Sequence, residues 1–240
     1  MLRRFPVALK IYDRVLDIVP KDPDTIAFEA RIYQAEGNLE QAGKLLAGVN
    51  AQTPSFQVYI TKMNQLFLER QFDEAIRLIH NRPTEFGDLS PWARLLNPSL
   101  LWHAQEYAGD IVEARATAQQ TLGPLETLCQ KDPDNPILAL ALSLTRAVLG
   151  QKDAAVREAE RAITLRPSKK DAVDGPMYEE NLASVEVIVG DKNSAIPRLQ
   201  HLLEIPYTNC LIPALLRLHP QWDPLRGDPA FQKLCDEKQP

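Results

Sequence analysis

Cysteine is nearly absent: Cys129, Cys210 and Cys235 stand far apart in a chain of 240 residues. Without a CxxC pair, neither a zinc knuckle nor a dithiol redox motif can form. Isolated thiols are expected to stay reduced, as in a cytoplasmic compartment. Positive charge is also short, with 27 Lys and Arg against 32 Asp and Glu, a net charge of −5. The basic clusters, Arg3-Arg4 and Lys169-Lys170, are too small to neutralise a phosphate backbone, which argues against nucleic acid. No apolar run approaches the ~18 residues that cross a bilayer, so no membrane partner is expected. The opening Met1-Leu2-Arg3-Arg4-Phe5-Pro6 lacks the apolar core of a secretory signal. Aromatics make up only 7% of the chain, but 45% is hydrophobic and 25% charged, the composition of a core-forming protein.

Catalytic and cofactor motifs are missing as well. His80, His103, His201 and His219 form neither HExxH nor HxxxH, and the ten glycines contain no GxSxG, GxxxxGK[ST] or GxGxxG. Asp22-Pro23-Asp24 and Asp132-Pro133-Asp134-Asn135-Pro136 look like paired carboxylates, yet their proline context suits turns that cap a following helix. A non-enzymatic chain without metal or cofactor is expected. His103 and Glu106, three apart on one helix, mark the place for an alternative: a small-molecule sensor or an enzymatic helical domain with its pocket there.

What the sequence does contain is a repeat. A small residue recurs at Ala8, Ala42, Ala75, Ala114, Ala155 and Ala195, at intervals of 34, 33, 39, 41 and 40 residues. Pro20, Pro54, Pro167 and Pro206 follow four of these alanines by eleven or twelve residues, and Gly37, Gly150 and Gly190 precede three of them. Such a period describes helix–turn–helix units, each too small to bury its own apolar face, filed side by side. The alanine lets two helix axes approach to about 8–10 Å.

On these residues the chain resembles the tetratricopeptide repeat family. Ile26, Ala30, Tyr33, Ala42, Leu46 and Pro54 follow its pattern, as do Leu142, Ser143, Gly150, Ala155, Ala159, Ala162 and Pro167. The resemblance implies an all-α, right-handed α-α superhelical solenoid of antiparallel helix pairs. Its five to six repeats would occupy 1–206, with an insert at 81–98 carrying Trp92 behind a Ser90-Pro91 cap, and capping helices at 207–240. The string from Leu216 to Phe231, Leu-Arg-Leu-X-Pro-X-Trp-Asp-Pro-Leu-Arg-X-Asp-Pro-X-Phe, is similar to the end of bacterial repeat regions. Those accompany serine/threonine kinases, adenylate/guanylate cyclases or winged-helix regulators, which implies an accessory part of a larger signalling protein.

The family's concave face, lined by first helices, is then the expected binding surface for a protein or peptide. Helical periodicity puts Arg31, Gln34, Asn64, Phe67, His103, Glu106, Tyr107, Glu180, Asn181 and Ser184 there. The clamp by which some relatives hold a terminal carboxylate is not expected, since Ala27, Arg31, Gln57, Thr61 and Asn64 retain only its asparagine. The first repeat lacks its first helix, which would leave Phe5, Leu9 and Tyr12 uncovered. Two readings stay open: upstream repeats in a longer protein, the favoured one, or burial of that end in a homodimer or by a partner.

Overall fold

The computed structural model describes residues 3–50, 53–81, 93–209 and 211–236, and it is an all-α solenoid of antiparallel helix pairs. A lone helix α1 (Phe5–Ile18) comes first. Five pairs follow: α2 (Pro23–Glu36) with α3 (Leu39–Ala47), α4 (Phe56–Leu68) with α5 (Phe72–His80), α6 (Ala93–Tyr107) with α7 (Ile111–Lys131), α8 (Pro136–Val148) with α9 (Lys152–Leu165), and α10 (Gly175–Ile188) with α11 (Lys192–Glu204). The chain ends in α12 (Pro213–Leu218), a 3₁₀ turn at Pro220–Leu225, and α13 (Pro229–Asp236). Most of the expected insert, with Ser90, Pro91 and Trp92, lies outside the described residues, as does Cys210; residues 93–98 open α6. Among the described residues no helix is long and apolar enough to cross a membrane.

Helices α2, α3, α4, α7, α8 and α11 start where the sequence offers a side-chain acceptor. Asp22 takes the Thr25 N–H at 2.8 Å with Pro23 in the first turn, and Asn135 takes those of Ile137 and Leu138 at 3.0 and 3.3 Å ahead of Pro136. The Asp-Pro clusters are therefore caps. Ser55, Asp110 and Asp191 act likewise on α4, α7 and α11.

The recurring alanines set the pair distance. Ala42, Ala75, Ala155 and Ala195 are fully buried and Ala114 nearly so, each on a second helix facing its own first helix or the next. Within pairs the chain reverses through a left-handed residue, which at Gly37 has φ 79°. Between α4 and α5 that residue is Arg70, with φ 59°. A side chain is disfavoured there, and the reason for keeping this one lies across the molecule.

The last segment does more than cap. Phe231, Leu234 and Cys235 of α13 cover Leu199 and Leu202 of α11, as a terminal helix should. Residues 211–225 instead cross the inner face of the solenoid. Ile212 and Ala214 pack on Phe5 of α1 and on Ile32 and Ala35 of α2, while Trp222, with no exposed surface, and Leu225 enter the last pair's core. The Arg3 guanidinium donates to the carbonyls of Leu202, Leu203, Ile205 and Leu211. The two ends of the chain are thereby fastened together.

The expected uncovered face at Phe5, Leu9 and Tyr12 is therefore corrected. Phe5 is buried at 6% exposure, Leu9 packs in the same cluster, and the Tyr12 ring stacks on Phe28 at 6.0 Å. Those residues meet α2 and the returning C-terminal segment. What α1 leaves in water is the adjacent stripe Val7, Ile11, Val15 and Ile18.

Candidate functional site

Because 211–225 lies along the inner face, that face is divided into cavities walled on one side by first helices and on the other by the chain's own C-terminal segment. One, of about 360 Å³, gathers Arg31 from α2, Asn64 from α4 and Glu180 from α10 against Asn209, Gln221 and Trp222. Another of about 360 Å³ lies between His103, Glu106 and Tyr107 of α6, Ser184 and Ile188 of α10, and Gln221 and Asp223 of the turn. A smaller one, about 210 Å³, joins Asn64, Phe67, His103 and Tyr107 to His219. Of the ten residues expected in the groove, nine line these spaces.

Several of the nine nevertheless work inside the protein. The Gln34 amide is 1% exposed; it donates to Thr61 O and Gln65 Oε1, both at 2.9 Å, and accepts from Asn64 at 2.9 Å. Gln34 and Asn64 thus join α2 to α4 across their interface, so Gln34 is corrected from a partner contact to a structural link. Phe67, 5% exposed, is enclosed by the Tyr107 and His219 rings at 5.4 and 6.3 Å. Asn181 lies outside the cavities altogether: 6% exposed, it donates to Ser143 Oγ at 2.9 Å between α10 and α8. Projection of a helix onto a wheel cannot separate a residue facing the groove from one facing the next pair, since the two directions adjoin.

Electrostatics single out four groups. Burial pushes the His103 imidazole down to about 4, and its Nδ1 meets Ser99 O at 2.8 Å. His219 falls to about 3 through burial and the neighbouring His103, so both rings are neutral at pH 7 and serve as aromatic packing. The Glu180 carboxyl is raised by burial, against the hydrogen bonds it accepts from Asn209 and Tyr207 at 2.8 and 2.9 Å. Glu106 is raised to about 6 by desolvation alone.

The turn that closes these cavities is held by ions. Burial would raise Asp223, but hydrogen bonds from Arg70 and Arg226 outweigh it and bring the carboxyl below its usual range. Arg70 grips both Asp223 oxygens, at 2.6 and 2.8 Å, and Arg226 adds a third contact at 2.6 Å. The left-handed backbone of Arg70 thus aims a forked donor at the C-terminal turn. Among the described residues, no group of three or more His, Cys, Asp or Glu is arranged to hold a metal ion.

The architecture is that of a helical-repeat solenoid whose inner face is partly occupied by its own C-terminal segment. A tetratricopeptide repeat family model matches residues 2–66, from α1 into α4. No curated protein matches the chain. Among solved structures, a chain in the crystal structure of the APC/C hetero-tetramer Cut9-Hcn1 is similar, at 14% identity and a TM-score of 0.36. The similarity covers 98% of this chain and 52% of that one, so this protein spans about half the length of its match.

Proposed function

We propose that the protein is a non-catalytic scaffold that holds a peptide or protein partner against the inner face of its solenoid, as an accessory region of a larger bacterial signalling protein. One observation carries the binding reading. Side chains from three different helix pairs, Arg31, Asn64 and Glu180, converge on a single cavity of about 360 Å³ beside the C-terminal segment. A surface assembled from several repeats suits an extended or helical ligand, which can touch each repeat in turn. The signalling context rests on the Leu216–Phe231 string, and a cytoplasmic setting agrees with the unpaired, buried thiols of Cys129 and Cys235. Any contact between copies of the chain would use Val7, Ile11, Val15 and Ile18, the apolar residues that α1 exposes.

The test is capture of a partner by the immobilised chain, with bound protein quantified for the wild type, Arg31→Glu and Lys44→Glu. Lys44 lies on α3 and pairs with Glu40 on the exposed surface. Arg31→Glu should abolish capture while circular dichroism shows the helical fold retained, and Lys44→Glu should leave capture intact. Equal capture by all three would reject the inner face as the binding surface. The small-molecule reading draws on a different observation, the second cavity of about 360 Å³ that contains both His103 and Glu106.

A further inference from the structure

We propose that the cleft around Glu106 binds an alkylammonium group carried on an apolar stem, the chemistry shared by a lysine side chain and a free aliphatic diamine. The proposal rests on the inner face being the working surface and gives that face a defined ligand chemistry.

Glu106 lies where two cavities meet. The first, of about 360 Å³, is the one closed by the C-terminal turn; the second, of about 410 Å³, runs between α7, α8 and α10 past Ala114, Val148 and Ile188. The carboxylate is half-buried between them, and among the described residues it forms no hydrogen bond or ion pair. Glu186 is gripped by Arg198 at 2.8 and 3.1 Å, and Glu180 by Tyr207 and Asn209. Glu29, raised by burial on α2, has no such partner among the described residues but lines none of the cavities described above. An acid drawn out of water normally has such a partner, because desolvation without one is unfavourable.

Two neighbouring donors are engaged elsewhere, and neither the Tyr107 hydroxyl nor the Gln221 amide, which share the cleft, is bonded to the carboxylate. The Ser184 hydroxyl donates to Glu180 O at 3.1 Å, and His103 Nδ1 is directed at Ser99 O. Asp223, the other acid facing the cleft, is occupied by Arg70 and Arg226. His103 and Tyr107 face it uncharged at pH 7, and the Tyr107 hydroxyl is raised well above its ordinary range by burial. Arg115 and Lys152 belong to the second cavity and are exposed at its edge. The apolar walls accept methylene groups, the single carboxylate accepts a compact cation, and the Tyr107 ring adds a π face. A lysine inserted here and followed in sequence by an acidic residue would answer the two exposed cations as well.

Ionisation gives the site a signature. With its carboxyl at about 6, Glu106 is mostly charged at pH 7 and mostly protonated at pH 5. Affinity for a cation should therefore fall about tenfold across that interval. The experiment is an NMR titration of the whole chain with three probes: Nα-acetyl-lysine methylamide, 1,5-diaminopentane, and Nα-acetyl-norleucine methylamide as the uncharged stem. At least one amine should shift the Val187 and Ile188 methyl signals at millimolar concentration, about tenfold more weakly at pH 5, with the norleucine probe inert. Glu106→Gln, its fold checked in the same spectra, should lose that response. A response to the lysine probe alone assigns a partner's side chain, to the diamine alone a free amine, and to both the shared group; each supports the site. Absence of amine binding, or binding insensitive both to pH and to Glu106→Gln, overturns it. Should the amines fail while Arg31→Glu still abolishes partner capture, this site falls and the scaffold reading stands.

Discussion

Replacing Glu106 by glutamine should stabilise the protein, and the gain should depend on pH. Glu106 sits in the fold with its carboxyl raised from the usual 4.5 to about 6, the sole cause being withdrawal from water. Below pH 4.5 the side chain is protonated in folded and unfolded chains alike and contributes nothing. Between the two values the unfolded chain ionises first, so stability drains away as pH rises. Above about pH 6.5 both states are charged and the folded one carries the whole penalty. A displacement of about 1.5 in pKa corresponds to about 2 kcal/mol. For a chain of this size ~1 kcal/mol moves Tm by about 2–4 °C. Thermal melts followed by circular dichroism, wild type against Glu106→Gln from pH 4 to pH 8, should therefore agree at the acid end and separate by about 4–8 °C at the neutral end. A difference that is flat with pH, or a variant less stable at pH 7, would refute the unpaired-carboxylate argument.

Two further outcomes follow from the packing. Ala155→Leu inserts three carbons at a position with no exposed surface and should destabilise the fold by about 1–3 kcal/mol in urea unfolding, whereas Ala47→Leu, on an exposed position of α3, should lie within about 0.5 kcal/mol of wild type. Ile212→Asp places a carboxylate against Phe5, Ile32 and Ala35, so amide exchange should quicken selectively in α1 and α12; protection left unchanged there would contradict the fastening of the two chain ends.

The helix pairs were legible because their determinants are local. A fully buried alanine such as Ala42 is separated from its turn glycine by five residues and from Asn38, the cap that accepts the Gln41 N–H at 3.2 Å, by four. The inner-face residues were legible in part, because periodicity gives a direction and not a neighbour: it grouped Arg31 with Asn181, though one lines a cavity and the other bridges two helices. The path of 211–225 was not legible. Its partners Phe5 and Ile32 are some two hundred residues away in sequence, and an apolar stretch followed by Pro220-Gln221-Trp222 reads equally well as a cover for the last helix. The contact of Arg70, left-handed where the other pairs turn on glycine, with Asp223 was not legible either, because its partner lies in that same returning segment.

Stacked repeats ordinarily behave like a row of dominoes, in which the outermost members have one neighbour each and come apart first. Here Arg3 and Phe5 hold the returning tail, so the first and last of the described hairpins are joined to each other. Opening any one hairpin would then strain all the others. Such a chain should melt in a single sharp step, where an unfastened array of the same hairpins would fray from its tips.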